Sequence, residues 1–459
     1  MRTNAGTAVS AVLIAATLGP GLRARERRAE PLFTAEERSK LVAYWAAPDR
    51  WKSEPQSADG KTGPWAARLT PEGSTWLLAY RKAVSGSRKV PPTQAPKAVD
   101  DGPTAGWETW LSARIALDWH LARKAAATAN TMVPGAPAPE ATPEPPAPGP
   151  IPETLLAACG NPPPFARAVV PLRHVVRLDD PASEHVFNDN VRLPERFAYF
   201  RFPQGVVSYG TKVDALPEDI KADRFAKGGF SPSERRIFTA VSRLEGGFDT
   251  VQTYDTGFVS VGFIQFVTLA DGRQSLCGVL AREKADFPEA YAADFRRHGI
   301  DVQIDGTLVV VDPGTGAELA GPDAVRRIVE DKRLIAVFQR AGRLSEAFQI
   351  SQIRAARALY WPGAEPFDIA GKDGARIAGT VADIVRSEAG LATVLDRKIN
   401  TGSIKPFAEV VAKVAAAKGC TTLADLAARE REIVTALRYR TDFLADTGLT
   451  QPGAVTAGR

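Results

Sequence analysis

Cysteine, histidine and methionine are scarce in this sequence, with 3 Cys, 4 His and 2 Met among 459 residues. The cysteines, Cys159, Cys277 and Cys420, lie far apart and form no C-x-x-C pair, and the histidines show no metal-ligand spacing. One disulfide can form, but the spacing does not say between which cysteines. These shortages predict a protein with no metal site and no cofactor.

Long apolar runs are also missing. The run near the start, Ala8–Leu18, follows the positive charge of Arg2 and is broken by Gly19. It is too short to span a bilayer and is typical of an export signal. We predict that residues 1–30 are a signal peptide and leader, that the protein is exported (periplasmic or extracellular), and that no membrane span remains after signal removal. The alternative is an N-terminus that is packed or disordered.

Charge of either sign is not concentrated. The net charge is +5 and the isoelectric point about 9.0, a mild basic excess that suits an anionic polymer such as cell wall. A dense Lys/Arg patch of the kind that binds nucleic acid is missing, so we predict no nucleic-acid partner. Hydrophobic residues make up 44% of the chain, enough for a real core, and the length predicts two or three domains. The sequence does not indicate an oligomeric state.

Proline marks the main division of the chain, because nine prolines fall between Pro134 and Pro152. Such a run forms a semi-rigid polyproline II linker. We predict a tryptophan-rich helical domain at 31–130, a linker at 131–159, a catalytic domain at 160–446 and a disordered tail at 447–459. The tryptophans of the first domain either fill its core or, if exposed, stack on sugar rings. We favour the core.

The most informative stretch is Ser231–Phe266, which reads SPSERRIFTAVSRLEGGFDTVQTYDTGFVSVGFIQF. Ser231 and Glu234 form a capping box that predicts a helix start, and apolar residues follow at helical spacing. Glu245 is the last residue before two glycines that end the helix, and it shares the apolar side. A carboxyl group there loses hydration and meets the negative end of the helix. Both effects favour its protonated form, as a general acid requires.

A short hairpin follows this glutamate. Strand formers at Thr250–Tyr254 and Phe258–Phe263 flank an Asp-Thr-Gly turn. The motif Gly262-x-x-Gln265 comes next, and there we expect another helix to begin.

An acid at a helix end, a small hairpin and a G-x-x-Q motif about twenty residues on resemble the lysozyme-like superfamily. This superfamily includes lysozymes, lytic transglycosylases and chitosanases. The resemblance covers about residues 232–402. It implies that Glu245 is the catalytic acid, that the hairpin forms one wall of a cleft, and that Gly262 and Gln265 line the sugar site.

Glycosidases usually need a second carboxylate. Animal lysozymes have an aspartate two residues before the hairpin glycine, where this chain has Ser260. Asp255 in the hairpin turn is our first substitute and Asp249 the second. As a base, Asp255 would suit an inverting enzyme; its alternative is a plain turn aspartate. A lytic transglycosylase would need only Glu245, as both acid and base. The sequence does not separate these routes.

Two further groups of residues are candidates for substrate binding. Thr253, Tyr254 and Ser260 lie on the hairpin and could position a sugar or a water. Asp396 and Asn400, four apart on a late helix, resemble the aspartate and Asn-x-Gly end found in chitosanase-like and phage-type peptidoglycan hydrolases. In those enzymes the late helix packs against the catalytic helix. The alternative is a solvated helix face with a cap.

The predicted fold class is α+β: a mainly helical lysozyme-like catalytic domain with a small β-hairpin, beside a small α-helical N-terminal domain. A capping box at Thr34 and Glu37 predicts a helix reaching Trp45. Single helices are expected over Pro322–Ala341 and Ala375–Ser387, and a hairpin around Asp305-Gly306.

The function we predict is that of a secreted enzyme that cleaves the β-1,4-glycosidic bonds of peptidoglycan, as a hydrolase or a lytic transglycosylase. Chitosan, or a related aminosugar polymer, is the alternative substrate, although a polycation favours an acidic cleft and the basic balance argues against it. Two other hypotheses are a non-catalytic wall-binding protein that has kept the lysozyme-like fold, and an injection-associated component with a wall-opening domain.

Overall fold

The computed structural model describes residues 31–55, 65–88, 102–132, 142–179, 181–188, 193, 195–371, 374, 376–439 and 441–453. The predicted signal peptide and leader, at 1–30, lie outside these residues, as does part of the predicted linker. The described chain is a mainly helical α+β protein, which confirms the general fold class.

The first part of the fold mixes helices and strands. Its elements are α1 (Ala35–Ala46), β1 (Trp51–Pro55), β2 (Ala66–Leu69), α2 (Pro71–Arg88), α3 (Trp107–Thr131), α4 (Glu153–Cys159), β3 (Ala166–Val169), β4 (Leu172–Leu178) and β5 (Ser183–Asn188). The capping box predicted at Thr34 and Glu37 is present and begins α1. The N-terminal region is therefore not purely helical.

Two sheets cross the boundary that the proline run suggested. β1 pairs antiparallel with β4, which in turn pairs with β5, and β2 pairs antiparallel with β3. The β1–β4 and β2–β3 pairings each join a strand before residue 131 to one after residue 159. Trp45 of α1 also lies in the main hydrophobic core, with the residues of the predicted catalytic domain. The described parts of the two predicted domains thus pack as one structure.

Tryptophans form the centre of a second, smaller core between α2, α3 and α4. Trp76, Trp107 and Trp110 are each at most 7% exposed. Their indole N–H groups donate to the Gly160 carbonyl, the Thr154 hydroxyl and the Gly149 carbonyl, at 2.9–3.0 Å. These indoles are therefore packing groups whose polar atoms are satisfied by residues 149–160. Most of that segment was predicted to be a linker.

The central part of the chain builds the larger core. Its elements are β6 (Val207–Ser208), α5 (Glu218–Lys227), α6 (Pro232–Ser242), β7 (Val251–Gln252), β8 (Ser260–Val261), β9 (Phe266–Val267), α7 (Ser275–Asp286), α8 (Pro288–Asp294), β10 (Ile300–Val302), β11 (Leu308–Val311), β12 (Glu318–Ala320), α9 (Pro322–Glu330), α10 (Lys332–Leu344) and α11 (Glu346–Tyr360). The hairpin around Asp305-Gly306 forms as β10 and β11. The single helix expected over Pro322–Ala341 is two helices, because Asp331 accepts from the backbone of Arg333 and caps α10.

The C-terminal part is a two-stranded hairpin followed by helices. Its elements are β13 (Pro366–Ala370), β14 (Arg376–Thr380), α12 (Val381–Ile384), α13 (Glu388–Thr401), α14 (Phe407–Lys418), α15 (Leu423–Ala427) and α16 (Glu430–Leu437). The single helix predicted over Ala375–Ser387 is wrong, since β14 occupies Arg376–Thr380 and only the short helix α12 follows it. The described part of the predicted disordered tail, residues 447–453, is held to α13: Thr450 O accepts from Ala389 N at 3.1 Å, and Thr450 N donates to the Glu388 carboxylate at 3.0 Å.

Candidate active site

Helix α6 carries the predicted acid at its end. The capping box is present: the Ser231 hydroxyl accepts from Glu234 N, and the Glu234 carboxylate accepts from Ser231 N at 2.8 Å. Ile237, Phe238 and Val241 are 0% exposed and face the main core. Burying three such side chains contributes roughly 1.5–3 kcal/mol each. The position of the helix is therefore set by its own sequence.

Glu245 lies just beyond α6 and not within it. The helix ends at Ser242, whose carbonyl accepts from both Glu245 N and Gly246 N, at 2.9 and 2.8 Å. Gly246 has a φ of 143°, and a Cβ on Gly247 would lie 1.7 Å from the Thr211 carbonyl oxygen. Only glycine fits both requirements. The Glu245 side chain is 6% exposed, so its carboxyl is held in a tight turn with little contact to solvent.

The predicted hairpin forms within a four-stranded antiparallel sheet in the order β6-β7-β8-β9. The helix that we expected at Gly262–Phe266 does not form. Residues 262–265 make a turn into β9, and the next helix, α7, begins at Ser275. The strands are shorter than predicted, but the hairpin lies where the sequence indicated.

Gln265 joins the hairpin to the acid. Its side-chain amide Nε2 donates to the backbone carbonyl of Glu245 at 3.0 Å. Its own backbone is left-handed, with a φ of 57°, which typically costs about 1–3 kcal/mol for a residue other than glycine. The contact links the end of α6 to the turn that follows β8. Strain concentrated beside a buried carboxyl is typical of functional sites.

Gly262 and Gln352 explain why this turn needs a glycine. Gly262 has a φ of 92°, and a Cβ there would lie 2.2 Å from the side-chain oxygen of Gln352. Gln352, on α11, accepts from Phe263 N at 3.3 Å and donates to the Phe248 carbonyl at 3.0 Å. One fully buried amide therefore holds the turn after Glu245 to the turn after β8. Gln352 was not predicted as a site residue. The only indication of its role in the sequence is that a polar residue stands on the apolar face of a helix.

Tyr360 is a second residue that the sequence analysis missed. It ends α11 and is half-buried. Burial raises the pKa of its hydroxyl, and a hydrogen bond with Ser275 lowers it. The negative charge of Glu245 raises it further. The phenol and the carboxyl are therefore close enough to interact, which gives the acid a polar neighbour.

The two aspartates proposed as second carboxylates both have structural partners. Asp255 Oδ1 accepts from Gly257 N at 2.8 Å and closes its own turn. Burial raises the pKa of the Asp255 carboxyl, and this hydrogen bond partly opposes the shift. Asp255 lies at the tip of the hairpin, at the end opposite the Gln265 contact. Asp249 is 2% exposed and accepts from Thr211 N at 2.8 Å and from Arg343 at 3.2 Å.

The hairpin residues proposed for substrate binding differ in accessibility. Thr253 is 0% exposed, and its hydroxyl accepts from Val206 N at 3.1 Å, which ties β7 to the chain before β6. Ser260 is 2% exposed. Tyr254 is half-buried, with its ring centre 5.9 Å from that of Phe197. Of these three side chains, Tyr254 has the most surface available to a ligand.

Helix α13 packs against α6, as the resemblance implied. Near its start, Glu388 accepts from the Ser233 hydroxyl at 2.7 Å and from Arg236 at 2.6 Å, both near the start of α6. Asp396 lies eight residues further on, about 12 Å along the axis of α13. Asp396 is 1% exposed, and its carboxylate accepts from the Asn400 amide at 3.2 Å.

Comparison with protein-family models, with characterised proteins and with solved structures found no match to this chain. In the described ranges, no three His, Cys, Asp or Glu side chains cluster as metal ligands would. No described helix is long and apolar enough to cross a membrane. The function of this protein is therefore inferred from the residues of this site and their geometry.

Proposed function

We propose that this protein is an exported enzyme that cleaves the glycan strands of peptidoglycan, with Glu245 as general acid. The carboxyl group of Glu245 is the proton donor to the glycosidic oxygen that leaves. The hairpin β7–β8 and the turn 262–265 form the wall against which the sugar binds. As proposed, the protein is a glycoside hydrolase or a lytic transglycosylase of lysozyme-like type.

The contact between the Gln265 amide and the Glu245 carbonyl is the observation that carries this proposal. It fixes the carboxyl-bearing turn relative to the hairpin, so the acid and the wall hold one geometry. Glu245 is 6% exposed, so bulk water has little access to the carboxyl group that would donate the proton. The left-handed backbone of Gln265 adds a second sign of a constrained, functional turn.

A route that uses Glu245 alone fits these contacts better than one that uses two carboxylates. Asp249 is fully engaged by Thr211 and Arg343, and Asp255 closes its own turn. In a transglycosylase, Glu245 would first protonate the leaving oxygen and then take the proton from the sugar hydroxyl that attacks. That hydroxyl replaces the water that a second carboxylate would otherwise activate.

The test is the variant Glu245→Gln, measured on purified peptidoglycan. Glutamine keeps the shape of the side chain but carries no transferable proton, so the rate should fall by about 10²–10⁴-fold while binding to the wall persists. Glu409→Gln, an exposed position in the first turn of α14, is the matched control and should leave the rate unchanged. An unchanged rate in Glu245→Gln would refute the assignment of the acid.

Product analysis separates the two routes. Anhydro-sugar ends indicate transglycosylation and reducing ends indicate hydrolysis. Asp255→Asn should abolish hydrolysis if Asp255 activates water, and should reduce the rate only slightly in a transglycosylase. Protein that binds peptidoglycan but releases no fragments would be a wall-binding module. Preferential cleavage of chitosan would make the protein a chitosanase.

A further inference from the structure

A cavity of about 530 Å³ lies between α1 and the segment that follows α8, away from the candidate active site. Its floor is formed by Leu41, Tyr44 and His298, and its mouth by the exposed residues Lys40, Ala292 and Arg297. The volume is within the range of roughly 300–1,000 Å³ that small-molecule sites occupy. None of its lining residues contributes to the proposed glycan cleavage.

His298 presents a hydrogen-bond acceptor in this cavity. Its Nδ1 lies 3.2 Å from the Asp294 carbonyl, and a carbonyl only accepts, so Nδ1 carries the proton and Nε2 carries a lone pair. Among the described residues Nε2 has no hydrogen-bond partner, although the side chain is only 1% exposed. Burial, followed by the charges of Arg297 and Arg340, lowers the pKa of His298 to about 3, so the ring is neutral.

Tyr44 supplies a donor next to this acceptor. Its hydroxyl oxygen accepts from Asp179 N at 3.4 Å, which leaves the hydroxyl proton available to donate. The rings of Tyr44 and His298 meet edge to face, with centres 5.7 Å apart. A ligand hydroxyl can donate to His298 Nε2 and accept from the Tyr44 hydroxyl at the same time. The two side chains at the floor can therefore bind one hydroxyl group of a ligand.

The mouth carries charges of both signs. Arg296 is bound to Glu37 at 2.9 Å and also to Asp301. The ion pair between Lys40 and Glu36 has both side chains more than 70% exposed, so it holds the Lys40 ammonium only weakly. An anionic group at the mouth would compete with Glu36 for that ammonium.

We infer that this cavity is a binding site for a small apolar molecule that carries a hydroxyl group at its inner end and an anionic group, such as a carboxylate, at its outer end. The hydroxyl lies between His298 and Tyr44, the apolar body lies against Leu41, and the anion lies beside Lys40. The site is separate from the proposed catalytic site and does not depend on glycan cleavage.

The test is calorimetric titration of the full chain with three probes. Para-hydroxybenzoate has both recognised groups, benzoate lacks the hydroxyl, and para-hydroxybenzamide lacks the charge. Loss of the hydroxyl should weaken binding about tenfold, because it leaves the buried Nε2 unpaired. Loss of the charge should weaken it about threefold, an effect that added salt should reproduce.

Two tryptophan variants on α8 locate the site. Ala292→Trp fills the mouth and should abolish binding, whereas Ala293→Trp, on the neighbouring exposed position outside the cavity, should leave it unchanged. Both positions are exposed, so both variants should keep the unfolding temperature of the parent. The inference is overturned if para-hydroxybenzoate does not bind, if it binds no tighter than benzoate, or if the two tryptophan variants behave alike.

Discussion

Replacing Glu283 by glutamine should make the protein more stable at neutral pH. Glu283, on α7, is 0% exposed and lies beside Asp294 of α8, whose carboxylate accepts from Arg340 at 3.1 Å. Burial, and then the negative charge of Asp294, raise the pKa of the Glu283 carboxyl from 4.5 to about 10. The folded protein therefore holds a proton on Glu283 at pH 7, whereas the unfolded chain does not.

The size of the effect follows from this difference in bound protons. Between pH 4.5 and 10 the folded state binds one more proton at Glu283 than the unfolded state, so stability falls by about 1.4 kcal/mol for each pH unit. At pH 7 the accumulated cost relative to pH 4.5 is about 3 kcal/mol. Glutamine is neutral in both states and avoids this cost. Glu283→Gln should therefore match the parent near pH 4.5 and exceed its stability by up to about 3 kcal/mol at pH 7.

Urea denaturation of the parent and the variant at several pH values between 4.5 and 8 measures this difference. The difference between the two proteins at each pH contains no contribution from the other titrating groups, since these groups are common to both. Glu289→Gln, at an exposed glutamate on α8, is the control, and its stability should follow that of the parent at every pH. A variant that is less stable than the parent at pH 7, or a difference that does not grow with pH, would contradict the raised pKa.

Three further substitutions, one of them with a matched control, test the packing around the candidate site by urea denaturation. Gly262→Ala should lower the free energy of unfolding by at least about 2 kcal/mol, because the φ of residue 262 is unfavourable for alanine and the new methyl group would displace Gln352. Its control is Gly278→Ala on α7, where a Cβ meets no atom within 4 Å, and this variant should be slightly more stable than the parent. Gln352→Leu leaves two buried backbone groups unpaired and should cost about 2–4 kcal/mol and lower the rate of glycan cleavage. Phe238→Ala should cost about 3–5 kcal/mol through the cavity that it leaves in the main core.

Each of these three predictions has an outcome that would contradict it. Equal stability of Gly262→Ala and Gly278→Ala would mean that the Gly262 turn is not constrained. A Gln352→Leu protein as stable and active as the parent would mean that the amide does not hold the two turns together. A loss below about 1 kcal/mol at Phe238 would indicate that the core around α6 can collapse into the vacated space.

Features encoded within a few neighbouring residues could be predicted from the sequence. The capping boxes at Thr34 and Ser231 start α1 and α6, and the Asp305-Gly306 turn forms the predicted hairpin. In each case the signal and the structure that it produces lie within a few residues. The packing of α13 against α6 was predicted from the resemblance to the lysozyme-like superfamily.

Contacts between distant residues could not be predicted in this way. Gln352 and Tyr360 reach the candidate site from α11, about a hundred residues after Glu245, and no local pattern connects them to it. The strands β13 and β14 were missed for another reason. Phe367 and Ile369 alternate with exposed residues at a period of two, and Ile377 continues the pattern across the turn, but no element was predicted at Pro366–Ala370 and a helix was predicted from Ala375.

Residues near the start of the described chain bind residues far later in the sequence, and this affects the order of folding during synthesis. The backbone N–H groups of Leu32 and Phe33, which lead into α1, donate to the Glu318 carboxylate at 2.9 and 2.8 Å, across 286 and 285 residues. Trp51 of β1 pairs with Val176 of β4. At about 5–20 residues per second, a ribosome would make Val176 roughly 6–25 s after Trp51, and Glu318 roughly 15–60 s after Leu32. Leu32 and Phe33 are translated first among these residues, but they are among the last to reach their partners. A nascent chain that stops before β12 lacks Glu318, which anchors the start of α1.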